Sequence, residues 1–311
     1  MLKAILSLAR TARAPAGVVD AGSASSSRAA PSRPLPTRFL DVEGGVVAFD
    51  DTGGDGPVVL AIPGMGDLRA QYRMLTPILR EAGFRVITMD VRGFGETSPR
   101  WSDYSARAVG RDAVSLLARL DAGPAVMLGN SFAAGAALWA ARDAPERVRG
   151  AVLLGPIVRD GQPSRLALAA LRLGFAGPWR VWFWTAYWNS LFPTRKPFDQ
   201  ARARAALADN LREPGRMEAL RIMVGLSKRD TESMLALSEV PALVIMGTRD
   251  ADFPDATAEA HWVTTQIKGK TLLVDGAGHY PHTEMPEVVA PEILAFIESL
   301  PDRRGSGGEP G

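Results

Sequence analysis

Ser131 lies where the sequence predicts a sharp turn between a strand and a helix. The preceding residues 125–128 are all apolar, as in a buried strand, and the alanine-rich residues 132–141 favour a helix. Gly129 and Ala133 are the small residues that so tight a turn requires two positions before and after the serine. Such a turn strains the backbone and projects the hydroxyl beyond the sheet edge, where it could act as a nucleophile. A serine that only caps an ordinary helix is the alternative interpretation.

The chemistry open to this serine depends on the partners that the chain can supply. A serine hydroxyl is a poor nucleophile at neutral pH and needs an adjacent base, and histidine titrates in the range that this role requires. The chain has only three histidines, His261, His279 and His282. It has no cysteine, which excludes disulfides, thiol catalysis and thiolate metal sites.

The composition predicts a single large folded domain with an insertion. The chain has 311 residues, of which 46% are hydrophobic, enough to bury a large core. Its 36 basic and 34 acidic residues nearly cancel. Residues 1–37 carry five basic residues and one acid, a net charge of +4, so subtraction from the total of +2 leaves −2 for the rest. The folded part therefore has no basic excess, and we predict no nucleic-acid partner.

Both ends of the chain are predicted to be flexible. Residues 1–37 are rich in Ala, Ser, Arg and Pro, and we expect a disordered basic tail there. A flexible extension on a cytoplasmic protein is the favoured interpretation. An organellar targeting peptide is the alternative, since transit sequences share this Arg- and Ser-rich, acid-poor composition. Residues 301–311 are rich in glycine and are expected to form a second flexible tail.

Apolar runs alternate with helix-forming segments along residues 38–158 and again along residues 240–300. Residues 39–49 alternate around a Gly-Gly turn and predict a hairpin. Residues 58–62 are apolar throughout, as in a strand buried on both faces. The alternation predicts a largely parallel sheet covered by helices on both sides. Residues 159–239 break it with sequence of helical propensity, and we interpret them as an inserted helical lid.

Several turns of this chain together resemble those of the α/β-hydrolase superfamily. The turn at Ser131 resembles its nucleophile elbow, G-x-S-x-G, with Ala133 in place of the second glycine. Residues 90–98, DVRGFGETS, resemble the D-x-R-G-x-G turn after the fourth strand, in which Asp90 and Arg92 are expected to fix neighbouring loops. The resemblance implies an α/β-hydrolase fold: a mostly parallel eight-stranded sheet, helices on both faces, and an inserted helical lid.

The same resemblance implies the side chains of an active site. Ser131 corresponds to the nucleophile, and His279, in the Gly-x-Gly-His loop after the last strand, corresponds to the base. Asp250, in the loop after the seventh strand, corresponds to the acid. Asp252 is the rival acid, and either carboxylate could instead cap the following helix.

An oxyanion hole is implied by two further positions. Residues 63–66, Pro-Gly-Met-Gly, resemble the His-Gly-x-Gly loop of the superfamily, with Pro63 in place of the histidine. The backbone N–H groups of Met65 and Phe132 would then stabilise a developing negative charge. The two remaining histidines, His261 and His282, are expected to be surface or loop residues.

Aromatic residues concentrate in the predicted lid. They are Trp179, Trp182, Phe183, Trp184, Tyr187, Trp188 and Phe192. One interpretation is an apolar wall that suits a small apolar or aromatic acyl substrate, and the other is packing of the lid on the core. Arg165, Arg172 and Arg180 interrupt the apolar residues, so we predict no membrane span, while contact with a lipid interface stays open.

The resemblance implies a serine hydrolase similar to esterases and meta-cleavage-product hydrolases. We predict cleavage of a carboxylic ester, or a related acyl bond, through an acyl-enzyme and without a metal or organic cofactor. A carbon–carbon bond hydrolase, an acyltransferase and a non-catalytic ligand-binding protein on this scaffold are the alternatives. Ser131 argues against epoxide hydrolases and haloalkane dehalogenases of this fold, which carry an aspartate at the elbow. The sequence predicts no oligomeric state.

Overall fold

The computed structural model describes residues 35–161 and 164–301. The predictions for the basic tail at residues 1–37 therefore fall almost wholly outside the described residues, as do those for the tail at residues 301–311. Within the described part, strands and helices alternate up to residue 154 and again after residue 242, as the sequence predicts.

The core of the protein is one eight-stranded sheet. Its strands are β1 (Arg38–Val42), β2 (Gly45–Asp51), β3 (Val58–Ile62), β4 (Arg85–Met89), β5 (Ala125–Asn130), β6 (Val148–Leu154), β7 (Ala242–Gly247) and β8 (Lys270–Val274). They lie in the order β1-β2-β4-β3-β5-β6-β7-β8. β1 pairs antiparallel with β2, and β2 with β4, whereas every other pair is parallel. The mostly parallel sheet of the α/β-hydrolase fold is therefore confirmed.

Helices cover both faces of this sheet. They are α1 (Leu75–Glu81), α2 (Ala106–Arg119), α3 (Ala133–Asp143), α4 (Arg165–Ala176), α5 (Arg180–Ser190), α6 (Gln200–Arg212), α7 (Arg216–Gly225), α8 (Arg229–Leu235), α9 (Ala256–Ile267), α10 (Pro281–Glu284) and α11 (Pro286–Glu298), with a 3₁₀ helix at Arg69–Arg73. Buried side chains of α1 and α11 pack on one face, and those of α2, α3 and α9 pack on the other. Because β3, β5 and β7 are buried along their whole length, their sequences are apolar apart from Asn130 at the end of β5.

The segment between β6 and β7 is helical. It carries α4 to α8, and the described residues there form no strand. Ser164 caps the start of α4. Its side chain accepts a hydrogen bond from the Ala167 N–H at 3.2 Å, the usual way to satisfy a free donor at a helix start. None of the helices in the described part of the chain has the length and apolar character that a membrane-spanning helix needs.

The turn from β5 into α3 allows almost no space at Gly129. A Cβ atom at this position would overlap the carbonyl group of Ala133 on the first turn of α3. The helix must pack this closely because the turn between strand and helix is only two residues long. The small residue that the sequence pattern requires two positions before Ser131 therefore has a direct steric cause.

We expect Gly129→Ala to lower the free energy of unfolding by about 1–3 kcal/mol, because the added methyl group must displace the main chain of α3. Urea-induced unfolding followed by circular dichroism measures the change. Gly225→Ala is the matched control, since a Cβ at Gly225 meets no atom within 4 Å. Equal stability of the two variants would contradict the steric explanation.

Candidate active site

Ser131 lies in the turn between β5 and α3, and its backbone is strained. Its φ angle is +58°, in the left-handed region that residues other than glycine rarely adopt. Two main-chain hydrogen bonds hold this geometry: the Ser131 N–H donates to the Leu154 carbonyl at 2.8 Å, and the Ser131 carbonyl accepts from Ile157 at 3.1 Å. The end of β6 thus fixes the serine at the carboxyl edge of the sheet.

The loop after β3 borders the serine. A Cβ at Gly64 would lie 3.1 Å from Ser131 Cβ and 3.6 Å from Ser131 Oγ, so the main chain approaches the hydroxyl closely. Within the described part of the chain, neither the N–H of Met65 nor that of Phe132 donates a hydrogen bond. Neither N–H group therefore has an acceptor among the described residues, and a donor without an acceptor is what an oxyanion hole requires.

His279 and Asp250 form a buried pair at the same edge of the sheet. Asp250 follows β7 and His279 follows β8, and parallel strands bring both loops to the edge that carries Ser131. His279 Nδ1 lies 2.7 Å from Asp250 Oδ2, and both residues are at least 97% buried, with exposures of 2% and 3%. Of the two candidate acids, Asp250 makes the hydrogen bond to the imidazole.

Asp252 contacts the same pair from a second position. Its Oδ2 lies 3.7 Å from His279 Nδ1, beyond hydrogen-bond distance. Its N–H donates to Asp250 Oδ1 at 3.0 Å, and its carboxylate accepts a hydrogen bond from the Tyr187 hydroxyl. Neither Asp250 nor Asp252 caps the next helix, because Asp255 Oδ1 accepts from the first turn of α9. Two carboxylates therefore face one imidazole.

These carboxylates shift the titration of the imidazole. Burial opposes protonation of the ring, but the negative charges of Asp250 and Asp252 outweigh it and raise the pKa of His279 to about 9. The ring is therefore protonated at neutral pH and becomes a base only at higher pH. The three residues also offer ligand atoms within 4.8 Å of one another, a spacing that could hold a metal ion. In the geometry present, His279 Nδ1 instead contacts Asp250.

The side chains of Ser131 and His279 are not hydrogen-bonded to each other. In the described part of the chain the Ser131 hydroxyl makes no hydrogen bond. The side-chain amide of Asn130, next to Ser131, links the serine turn to the end of β6 and to the His279 loop. It donates to the carbonyls of Leu154 at 2.9 Å and His279 at 3.2 Å. Because such contacts are often longer without a substrate, proton transfer from Ser131 to His279 stays a prediction.

Gly155 provides the space for the His–Asp pair. A Cβ there would lie 3.1 Å from His279 Nδ1 and 3.3 Å from Asp250 Oδ2. Its φ angle of +53° also favours glycine. The positioning roles of Gly155 and Asn130 were missed by sequence reasoning.

The aromatic residues of the predicted lid divide between the interior and the surface. Trp184, Tyr187 and Trp188 are buried, whereas Trp179 and Trp182 are 47% and 62% exposed. Neither an apolar wall over the site nor packing on the core therefore describes all of the aromatic residues in this segment.

The two buried tryptophans bind the loop that contains Met65. Trp184 Nε1 donates to the Gly66 carbonyl at 3.0 Å, and Trp188 Nε1 donates to Asp67 Oδ2 at 3.1 Å. Burial raises the pKa of Asp67 to about 6, although its hydrogen bonds with Leu68 and Trp188 favour the ionised form. Sequence reasoning missed Asp67, since one acid after a Gly-rich turn carries no signal of burial.

The prediction for His282 is wrong. The residue is fully buried in α10 and stacks on Tyr72 with ring centroids 4.9 Å apart. Burial, reinforced by the positive charges of His279 and Arg73, lowers the pKa of His282 to about 3, so its ring is neutral and packs as an apolar group. Because prolines lie close to His282, the sequence there has no periodic pattern from which its burial could be predicted. His261, by contrast, lies exposed on α9 as expected.

Asp90 and Arg92 make structural contacts, as the sequence predicts. Asp90 is fully buried and accepts hydrogen bonds from the N–H groups of Arg69 at 2.7 Å and Glu96 at 3.1 Å. Arg92 makes a forked pair with Asp112 at 2.6 and 2.7 Å. Both side chains shape loops beside the site and contact none of its candidate catalytic side chains.

We expect His279 to titrate near pH 9 in the folded protein and Asp252→Asn to lower its pKa, because the variant removes one of two charges that favour the imidazolium. Nitrogen-15 NMR of the histidine side chains measures this titration. Asp255→Asn is the control, since Asp255 caps α9 and does not face the imidazole. An unshifted pKa in Asp252→Asn would show that Asp252 does not act on the ring.

Comparisons with known proteins agree with the fold. Residues 58–292 match the model of the alpha/beta hydrolase family. The bifunctional epoxide hydrolase 2 of Sus scrofa is 33% identical over 114 residues, which are 36% of this chain and 20% of that protein. The match therefore spans about one fifth of that relative's length.

Solved structures with similar folds belong to enzymes of several activities. A bromoperoxidase from Bacillus anthracis aligns with a TM-score of 0.73 and 21% identity over 85% of this chain and 100% of its own. The esterase RhEst1 from Rhodococcus sp. ECU1013 aligns with a TM-score of 0.70 and 22% identity over 85% of this chain and 99% of its own. At these identities the likeness shows the fold alone. The match to the family model covers most of the described residues, and it establishes that the chain belongs to the α/β-hydrolase family.

Proposed function

We propose that the protein is a serine hydrolase that cleaves a carboxylic ester, or a related acyl bond, with Ser131 as nucleophile. The observation that carries this proposal is the buried 2.7 Å contact between His279 and Asp250 at the sheet edge where Ser131 stands in a strained turn. A buried His–carboxylate pair at the same sheet edge as a serine hydroxyl is the arrangement that activates a weak oxygen nucleophile.

The proposed reaction starts with transfer of the Ser131 proton to His279. Because Nδ1 engages Asp250, Nε2 is the nitrogen left to accept this proton as Ser131 Oγ attacks the carbonyl carbon. The N–H groups of Met65 and Phe132 bind the oxyanion, and each such donor contributes about 10²- to 10³-fold to the rate. His279 then returns the proton to the leaving alcohol. A water molecule repeats the sequence on the acyl-enzyme and releases the acid.

The raised pKa of His279 determines how this reaction depends on pH. Only the neutral imidazole can accept the serine proton, so activity is lost as pH falls through the His279 pKa of about 9. The two carboxylates therefore stabilise the imidazolium that forms during attack. The same stabilisation reduces the fraction of enzyme that is ready to react at neutral pH.

Ester cleavage is favoured over the reactions of the epoxide-hydrolase relatives. The elbow carries Ser131, and epoxide hydrolases of this fold use an aspartate at that position. We propose an apolar or aromatic acyl group as substrate, because the buried aromatic rings of α5 lie next to the loop at Met65.

We expect Ser131→Ala to lower the turnover of p-nitrophenyl esters by about 10⁴-fold or more, because the variant lacks the attacking oxygen. A series of esters of increasing acyl length measures kcat/KM and shows which chain length fits. Tyr104→Phe is a control variant with a buried hydroxyl outside the site. No turnover of any ester by the unmodified protein would contradict the proposal, and turnover of an anionic dienone alone would favour the carbon–carbon bond hydrolase.

A fluorophosphonate probe separates an enzyme from a ligand-binding protein. An activated Ser131 is expected to be labelled stoichiometrically, and Ser131→Ala is expected to remain unlabelled. Labelling should rise with pH along the His279 titration, because the neutral imidazole activates the serine. An unlabelled protein that still binds an apolar ester would support the binding-protein alternative.

A further inference from the structure

The outer surface of the predicted lid gathers exposed apolar side chains. Ten large apolar side chains are exposed in the described part of the chain, and six of them lie between residues 166 and 198. These six are Leu166, Leu168, Leu173, Trp179, Trp182 and Phe198. Single exposed apolar residues are ordinary, but a concentration of this kind marks an interaction site.

Helix α4 carries half of this set and touches the protein along a narrow stripe. Only Ala167 and Gly174 are buried on it, and Gly174 lies against the ring of Phe183 on α5. Leu166 and Leu173 are 67% and 64% exposed. Most of the circumference of α4 therefore faces away from the protein, and the side chains of Leu166 and Leu173 are largely in contact with solvent.

The charge of the same segment is entirely positive. Residues 161–198 contain five basic residues and no Asp or Glu. Arg195 pairs with Glu287, whereas Arg165, Arg172, Arg180 and Lys196 make no ion pair with a carboxylate of the described residues. An open cleft of about 420 Å³ lies beside Trp179 and has Arg180 and Arg212 among its lining residues.

We propose that this lid surface, defined by residues 165–182 with Lys196 and Phe198, docks on an anionic lipid bilayer. Leucine and tryptophan mixed with arginine are typical of segments that lie in the headgroup region. Anionic lipids attract the unpaired cations, and the cleft at Arg180 has room for a phosphate headgroup. A two-fold contact of this surface with a second copy would oppose like charges, so charge complementarity favours the lipid.

Docking would place the candidate active site at the lipid. The outer side of α5 carries Trp182, and its inner side binds the loop at Gly66 and Asp67. Helix α5 would then lie between the bilayer and the loop at Met65. A link between docking and ester cleavage rests on the proposed function, whereas the docking itself does not require any turnover.

Flotation of the full chain with lipid vesicles tests the docking. We expect binding to mixed phosphatidylcholine–phosphatidylglycerol vesicles, weaker binding at high salt, and little binding to phosphatidylcholine alone. Arg165→Gln/Arg172→Gln/Arg180→Gln should lower the partition constant by about 100-fold, and Leu166→Gln/Leu173→Gln/Trp182→Gln by at least about tenfold. Ser131→Ala should bind like the unmodified protein, which separates docking from catalysis.

Matched controls are available elsewhere on the chain. Phe39→Gln/Leu237→Gln removes apolar side chains that are 58% and 62% exposed but lie outside the lid surface, and it should leave vesicle binding unchanged. Circular dichroism confirms that each variant folds. Failure of the unmodified protein to bind anionic vesicles would overturn the proposal. So would unchanged binding by both lid variants, or concentration-dependent self-association that the leucine variant abolishes.

A second inference comes from the buried face of α5. Residues 184, 187, 188 and 191 follow one another at helical spacing. Together they form hydrogen bonds with three loops of the site. Trp184 binds the Gly66 carbonyl, Trp188 binds Asp67, and Tyr187 binds Asp252. The Leu191 carbonyl, just past the end of α5, accepts from the His279 N–H at 3.1 Å.

We infer that Trp184 and Trp188 are positioning residues for the oxyanion loop. The Gly66 carbonyl belongs to the residue after Met65, so the bond to this carbonyl restricts the movement of the loop that carries the Met65 N–H. Through Tyr187 and Leu191 the same helix holds the acid and histidine loops. The described contacts therefore make α5 a fixed wall of the site rather than a movable part of the lid.

Kinetics of Trp184→Phe and Trp188→Phe test this role, which rests on the proposed function. Each variant keeps a ring but loses the N–H, and we expect kcat to fall about tenfold or more with little change in KM. Trp139→Phe is the matched control, because Trp139 Nε1 donates to Thr231 at 3.1 Å in the core away from the site. An equal loss of kcat in Trp139→Phe would overturn the inference. So would an unchanged kcat in both Trp184→Phe and Trp188→Phe. An unmodified protein without turnover would instead overturn the proposed function.

Discussion

The strained backbone at Ser131 is the constraint on which the rest of the site depends. Its left-handed φ of +58° is unfavourable for a serine and persists only because the surroundings hold it. Gly129 allows α3 to pack directly against β5, and the Leu154 carbonyl and Ile157 N–H bind the serine main chain from β6. The same turn brings Ser131 against the loop that follows β3, since a Cβ at Gly64 would lie 3.6 Å from Ser131 Oγ.

Buried charge is the second feature that organises the site. Asp250 and Asp252 both face His279, while Asp67 lies buried below the loop at Met65. Buried carboxylates are costly unless hydrogen bonds or opposite charges offset the loss of water. Asp252 and Asp67 obtain such donors from Tyr187 and Trp188 of α5. The aromatic helix is therefore part of the electrostatic structure of the site as well as its covering.

Much of the fold could be predicted from local patterns. The strands β3, β5 and β7 are short, almost entirely apolar and each preceded by a proline, so their burial on both faces is visible in the sequence itself. The turns at residues 90–98 and 129–133 carry steric demands that only certain residues meet. Burial of His282 was mispredicted, because its environment is built from Tyr72 and other residues distant in the chain.

The sequence by itself determined the order of strands and helices, the sharp turn at Ser131 and the identity of the residues able to do chemistry. Each of these depends on side-chain size, polarity and spacing over a few residues. Only the tertiary structure decided that Asp250 rather than Asp252 binds His279, that Asn130 and Gly155 set its position, and that α5 has a buried and an exposed aromatic side. Those outcomes depend on contacts between segments far apart in the chain, whose distances no local pattern encodes.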